Sequence, residues 1–240
     1  MQKVFAVVAV GLLASLSACA STSINMAVSS YAAPAAAQFT KFVILPDKGI
    51  DAESLEFREY SSHIEKIMSI KGWEKVYSVD DASSIVFVSY GIGDPKQHNF
   101  SYSVPTFGQT GVASSSTSGS INSYGNTATY NATTTYTPSY GVTGYVPVSG
   151  QYTTYDRWLK LNAIDLTEFR ASKKLQEIWR LSVSSTGSSG DLRKIFPYMA
   201  YAAMPYLAEN SGKAVSVVIP EDGKQIKAFL LPQQAFAPVK

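Results

Sequence analysis

The chain has 240 residues, a formal net charge of +2 and only 16% charged residues. A near-neutral balance leaves no basic footprint for a phosphate backbone, which sets nucleic acid aside as a partner class. A single cysteine cannot make an internal disulfide, so no disulfide framework holds the fold.

The N terminus reads "MQKVFAVVAVGLLASLSACASTS". Lys3 supplies a short positive region, and Val4 to Leu16 is uncharged and mostly apolar. A bilayer span needs roughly 20 apolar residues, so this run is the pattern of a secretory signal peptide over residues 1–18 and not of a membrane helix. Two cleavage readings compete. Ala18 and Ala20 form an A-x-A site that would release a soluble chain at Ser21, whereas Leu16-Ser17-Ala18-Cys19 resembles the bacterial lipobox. The lipobox reading implies that the Cys19 sulfur carries a diacylglycerol and that Cys19 becomes the acylated first residue. It also accounts for the lone thiol, which in an oxidising compartment would otherwise be open to stray oxidation. Each buried CH₂ contributes about 0.8 kcal/mol, so several acyl chains form a firm anchor. In lipoproteins of two-membrane cells a residue such as Ala20, where Asp would otherwise stand, implies the outer membrane. With Lys3 removed the remaining charge is +1.

Residues 19–38, rich in Ala and Ser, read as a flexible tether. The domain proper then spans 39–231, with 232–240 as a C-terminal tail. "FTKFVILP" reads as a strand over Phe39 to Leu45, stopped by Pro46. In "DAESLEFREYSSHIEKIMSIKGW" Phe57, Tyr60, Ile64 and Ile67 or Met68 recur at helical spacing, with Asp51 as N-cap and Gly72 at the C-terminal end. "KVYSV" and the continuous apolar run in "SSIVFVSYGIG" follow as strands. "YDRWLKLNAIDL" and "KKLQEIWRLSVSS" read as two strands of a hairpin turning at "TEFRAS". Leu159, Leu161 and Ala163 alternate on the first, and Leu175, Trp179, Leu181 and Val183 on the second. "GSSGDLRKIFPYMAYAAMPYLAENSGK" gives a second helix with Leu192, Ile195, Met199 and Ala203 on one side, and Pro197 and Pro205 demand a late start or a bend. "KAVSVVIPEDGKQIKAFLL" reads as a closing hairpin turning at Pro220 to Gly223. The order implies an α+β fold: a single layered domain whose mixed or antiparallel sheet carries two main helices on one face, with an uncharged Tyr/Thr-rich hairpin-like insertion.

Several of these motifs resemble a family of bacterial envelope lipoproteins known as domain of unknown function 4136. They are the lipobox ending at Cys19, "KGWEKVYSVDDASSIVFVSYGIG", "LKLNAIDLTEFRASKKLQEIWRLSVSS" and "DLRKIFPYMAYAAMPYL", in that order and covering most of Lys41 to Leu207. The resemblance implies an envelope location and an α/β layer fold. It transfers no catalytic residues, and the insertion departs from the shortest family members.

No pattern points to chemistry. His63 sits within the first helix, and His98, in "DPKQHNF", has Asp94 nearby but no third ligand; a zinc site needs three or four. "GSSG" at Gly187 to Gly190 is not a nucleophile elbow and reads as a loop whose Asp191 or Ser189 caps the next helix. "YGIGDP" lacks the third glycine of a dinucleotide fingerprint. Asp80 and Asp81 fall in a turn, where neighbouring carboxylates commonly face apart. Trp73, Trp158 and Trp179 lie in or beside apolar runs and read as core. No cofactor, metal site or catalytic residue is expected.

From Gln97 to Tyr155 there is no Asp, Glu, Lys or Arg. Within it Tyr124, Ala128, Tyr130, Ala132 and Tyr136 fall at even positions, and Thr127, Thr129, Thr133, Thr135 and Thr137 at odd ones. Alternation of this kind sorts two faces of a strand, which a random Ser/Thr spacer does not do. Disorder favours charge and few aromatics, the reverse of this composition. A β-hairpin arm with Tyr124, Tyr130 and Tyr136 as contact surface is the expectation; a flexible loop is the alternative. Together these readings describe an outer-membrane lipoprotein, anchored by its lipid and facing the periplasm, with a binding, scaffolding or assembly role toward envelope proteins or glycans. The alternative is a cell-envelope hydrolase or transferase acting on cell-wall material.

Overall fold

The computed structural model describes residues 22–231. The signal segment 1–18, Cys19 and the tail 232–240 lie outside the described residues. The chain is α+β, with one mixed sheet and four α-helices among the described residues. The strands are β1 (Ser23–Ala32), β2 (Lys41–Pro46), β3 (Glu74–Lys75), β4 (Ser84–Ile92), β5 (Lys96–Tyr124), β6 (Thr127–Asp165), β7 (Glu177–Gly187) and β8 (Val215–Pro220). The helices are α1 (Leu55–Ile70), α2 (Leu166–Ser172), α3 (Leu192–Ala203) and α4 (Lys224–Leu230). Two compact units result: Gln97–Tyr152 forms one, and the described residues up to Lys96 together with those from Thr153 onward form the other. The expected insertion 97–155 therefore ends at Tyr152, and Thr153 to Tyr155 belong to the layered unit.

In the layered unit the strand order is β3-β2-β4-β6-β7-β1-β8. β2 pairs in parallel with β3 and β4, and the remaining neighbours are antiparallel. Ile24, Met26 and Val28 on β1, Val86 and Val88 on β4, Leu159, Leu161 and Ala163 on β6, and Trp179, Leu181 and Val183 on β7 are all buried. On each strand they share one parity, so they share one face. They join Phe57, Tyr60, Ile64, Ile67 and Met68 of α1 and Ile195, Phe196, Met199 and Ala203 of α3 in one apolar cluster. Across the sheet a small second cluster holds Val43, Ala82 and Leu166, with Ile85 and Phe169 against it.

The tether over 19–38 is corrected by β1. This strand lies between β7 and β8, with Val28 opposite Val183 on one side and Val215 on the other. "SINMAV" alternates polar and apolar at a period of two, and three of its side chains are buried. The surrounding Ala and Ser residues hide that alternation in a composition count.

Helix α1 starts at Ser54, whose Oγ accepts from Phe57 N at 3.1 Å. Asp51 is not the cap; its Oδ1 accepts from Glu53 N at 3.0 Å one turn earlier. Gly72 closes the helix at φ +88°, a region that costs a residue with a Cβ. "TEFRAS" is helix α2 and no hairpin turn, because Asp165 Oδ1 accepts from both Thr167 N at 2.7 Å and Glu168 N at 3.0 Å. Leu175 consequently falls before β7 and is exposed. Asp191 caps α3, accepting from Lys194 N. Pro197 sits inside α3, where a missing donor costs roughly 3 kcal/mol. Burial of Phe196, Met199, Ala200 and Ala203 offsets it. After β8 the chain makes α4 instead of a second hairpin strand, burying Ile226 and Phe229 at a spacing of three.

Candidate functional site

Three surfaces carry side chains that could contact a partner, and the first is the hairpin of β5 and β6. Gly125 and Asn126 connect its strands, with positive φ at Gly125 alone (+61°). A positive φ only at the first central residue fits the II′ class of turn, whose twist suits a two-residue hairpin loop. Thr117 Oγ1 lies 2.8 Å from Thr134 Oγ1, Thr110 Oγ1 3.4 Å from Ser139 Oγ, and Thr106 Oγ1 3.5 Å from Thr143 Oγ1. Each of these contacts joins opposite parities, so even positions of β6 share a face with odd positions of β5 over this stretch.

That register separates the three tyrosines. Tyr130 and Tyr136 stand on one face with Ile121, Ala128, Ala132, Tyr140 and Val142. Tyr124, on β5, faces with Thr127 and the other hydroxyl-bearing residues. Parity holds within one strand, and the turn at Gly125–Asn126 breaks it between strands. Tyr124 is 94% exposed, Tyr130 62% and Tyr136 63%. The Tyr130 ring overlies Gly119, where a Cβ would meet its Cε2 at 2.8 Å. Phe100 covers Gly150 in the same way, with its Cζ 2.6 Å from a would-be Cβ. His98 stacks on Tyr152 with centroids 4.9 Å apart. Tyr152 in turn lies 6.4 Å from Phe100, which stacks on Tyr102 at 6.1 Å.

The second surface is the sheet face turned away from α1 and α3. Ser29 and Tyr31 of β1, Lys160 and Asn162 of β6, and Arg180 and Ser182 of β7 line a groove of about 240 Å³, joined by Asp47 and Glu177. Cross-strand pairing sets Tyr31, Arg180 and Asn162 in one row. The Arg180 guanidinium lies 5.0 Å from the Tyr31 ring centroid and 3.6 Å from Glu177. Asn162 Oδ1 is buried and accepts nothing among the described residues. Trp158 belongs to this face as well. It is half-buried, and its ring lies over Gly91, where a Cβ would come within 2.1 Å. The reading of Trp158 as core is thus corrected, whereas Trp73 and Trp179 are buried and lie 6.0 Å apart. The missed signal is parity: Trp158, at an even position, falls on the face opposite to Leu159 and Leu161.

The third surface is an apolar groove of about 310 Å³ between β8 and α4, lined by Tyr201, Val217, Ile219 and Ile226.

The remaining sequence candidates resolve into structural roles. Burial pushes His63 below its usual value; Glu59 opposes the shift and Lys66 adds to it. Its ring lies near Phe196 and Phe229. Asp80 and Asp81 are exposed in a 3-10 turn capped by Ser78. Burial pushes the Tyr60 and Tyr90 hydroxyls up to about 12, with Glu56 adding to both; the two rings pack edge to face at 4.6 Å. Among the described residues no group of three or more His, Cys, Asp or Glu side chains could hold a metal ion. No described helix is long and apolar enough to cross a membrane.

No family model matches the chain, and no curated protein matches it. The crystal structure of a PDZ domain protein from Parabacteroides distasonis is similar over 82% of this chain, at 9% identity and a TM-score of 0.40. The chain spans 39% of that protein. A likeness of that degree carries no argument about function, and the resemblance to the envelope lipoproteins rests on its quoted motifs.

Proposed function

We propose that this protein is an outer-membrane lipoprotein, of the kind the sequence motifs resemble, with a non-enzymatic binding or scaffolding role in the cell envelope. Cys19 is its lipid attachment site. The supporting observation is the hairpin: an uncharged ribbon whose Tyr130 and Tyr136 face is open to solvent. A two-stranded ribbon without a core is marginal in water, and an exposed apolar face of this length favours a partner that covers it. Tyr is suited to such contacts because its ring buries much area at little entropic cost while its hydroxyl stays bonded.

The test places a photo-crosslinking residue at Tyr136 and, separately, at Ser116 on the opposite face, in the native envelope. A specific adduct with an envelope protein or glycan from Tyr136 and not from Ser116 is the expected result. Equal labelling from both faces, or none, would remove the contact-surface reading. Anchoring is tested independently by the mass of the mature N terminus: an acylated Cys19 is expected, with Cys19→Ser leaving unacylated precursor. An unmodified Ser21 would establish the A-x-A cleavage instead.

A hydrolase acting on cell-wall material is the second reading. Asp47 and Glu177 lining one polar groove favour it. Asp47→Asn and Glu177→Gln would then each abolish turnover of peptidoglycan fragments; absence of turnover in the wild-type chain sinks that reading.

A further inference from the structure

Among the described residues Arg157 is a buried cation whose hydrogen bonds go only to neutral groups. It lies on β6 two residues before Leu159, on the face covered by the helices, and is 3% exposed. Its Nη1 donates to the Ser189 carbonyl at 3.2 Å and its Nη2 to Ser185 Oγ at 3.3 Å, while its Nε is buried with no partner among the described residues. Both partners are neutral. The adjacent carboxylate, Asp156, is engaged elsewhere, by Lys96 Nζ at 2.5 Å and Thr186 Oγ1 at 2.6 Å. No ion pair to Arg157 forms among the described residues. Guanidinium stays protonated in proteins, so burial does not neutralise it as it would a lysine. The Asp156 carboxylate, next to Arg157 in the chain, acts on it through space and opposes the effect of burial, but no direct ion pair offsets that burial.

A Cβ at Gly187 would lie 2.6 Å from Arg157 Nη2, and one at Gly190 would lie 2.9 Å from the Tyr155 ring. The two glycines of "GSSG" thus leave room for the ends of the Arg157 and Tyr155 side chains. The loop they bound lines, with Thr22, Asn25, Arg157, Lys194 and Glu221, a pocket of about 220 Å³. Arg157 and Lys194 outweigh Glu221 there by one positive charge. The α3 N terminus adds little, since Asp191 already caps it.

We propose that this pocket binds a phosphate-group anion through Arg157 and Lys194. Phosphate suits a guanidinium because its oxygens accept the parallel N–H bonds of the fork. Two sources share that chemistry, a free phosphate ester and a phospholipid headgroup. The second rests on the lipid-anchor reading. Thr22 lines the pocket and stands three residues after Cys19, so a chain rising at most ~3.6 Å per residue keeps the pocket within about 11 Å of an acylated Cys19. A headgroup in the same leaflet is then within reach.

The experiment uses the full chain purified in detergent, whatever its N terminus, and follows the thermal midpoint. The titrants are inorganic phosphate, dihexanoylphosphatidylglycerol below its micelle concentration, and chloride at matched ionic strength. A saturable rise with phosphate and none with chloride is expected. Arg157→Lys should weaken the response about ten- to hundredfold, the loss of a charged hydrogen bond, and Arg157→Met should abolish it. Because Arg157→Met could fail to fold, Glu221→Gln serves as the second variant. Removing the opposing carboxylate should tighten phosphate binding. A tighter response to the lipid than to phosphate identifies the headgroup as the source; a response to phosphate alone identifies a free ester. Identical effects of phosphate and chloride, or an unchanged phosphate midpoint in Glu221→Gln, would overturn the site. Since acylation of Cys19 is read separately by mass, failure here leaves the anchor reading intact, and the reverse also holds.

Discussion

The layered unit and the hairpin obey the same two-residue alternation and put it to opposite use. On β1, β4 and β7 and on β6 from Arg157 onward, alternate side chains turn toward α1 and α3, and Val28, Val86, Leu159 and Val183 are buried completely. On the hairpin, Tyr130, Tyr136, Tyr140 and Ile121 are all more than half exposed. Alternation specifies a strand with two unlike faces, but it does not say that anything within the chain covers the apolar one. The layered unit stabilises itself by burial. The hairpin relies on cross-strand hydroxyl contacts, on rings laid over Gly119 and Gly150, and on whatever it meets.

The largest effect should fall in the layered core. Trp179→Ala removes a fully buried indole packed on Trp73 and should cost about 3–5 kcal/mol, read as a lower denaturant midpoint at unchanged m-value. Trp179→Phe should cost less, because the indole N–H has no acceptor among the described residues and its removal leaves no donor unpaired. A mild effect of the alanine change would mean the two regions differ less than their burial implies.

Next comes β1. Met26→Ala should destabilise by about 2–5 kcal/mol, the usual range for a buried methionine. A tether residue would tolerate the change within about 0.5 kcal/mol, so one denaturation curve separates a strand from a linker.

A smaller effect is expected at His63. Burial lowers its folded-state value from 6.5, so below that pH the unfolded chain takes up the proton first. His63 therefore removes stability as pH falls from about 6.5 toward its lowered folded value, and contributes none of this dependence above 6.5. His63→Gln should flatten the loss of stability over that interval, measured by denaturation at pH 7.5 and 5.5. An equally steep loss in the variant would show that other groups govern it.

The smallest effect belongs to the hairpin. Tyr130→Ser and Tyr136→Ser should change the stability of the layered unit by no more than about 0.5 kcal/mol, as for other exposed positions, while weakening crosslinking from that face. A loss comparable to Met26→Ala would erase the contrast between the regions.

Legibility followed the range of the interaction. Helices α1 and α3 announce themselves through Phe57, Tyr60 and Ile64 and through Leu192, Ile195 and Met199. Helix α2 carries a local signal too: Asp165 followed three residues later by Glu168 is a helix start of the capping-box type. Ile226 and Phe229, at helical spacing, likewise signalled α4. The open-face groove and the Arg157 pocket were not legible, because each gathers residues from strands far apart in the chain. Ser29, Asn162 and Arg180 share nothing local.

Local composition and periodicity by themselves determined the apolar run after Lys3, the lone Cys19, the α+β pattern and the uncharged stretch from Gln97. They act over neighbouring residues, where backbone geometry alone sorts side chains. Only the tertiary structure decided that "SINMAV" is a strand paired on both edges, that Trp158 turns away from the core, that Tyr124 parts from Tyr130, and that Arg157 lies buried beside neutral partners. Each depends on which strand lies next to which, and pairing is settled by burial summed over the whole sheet and not by any one segment.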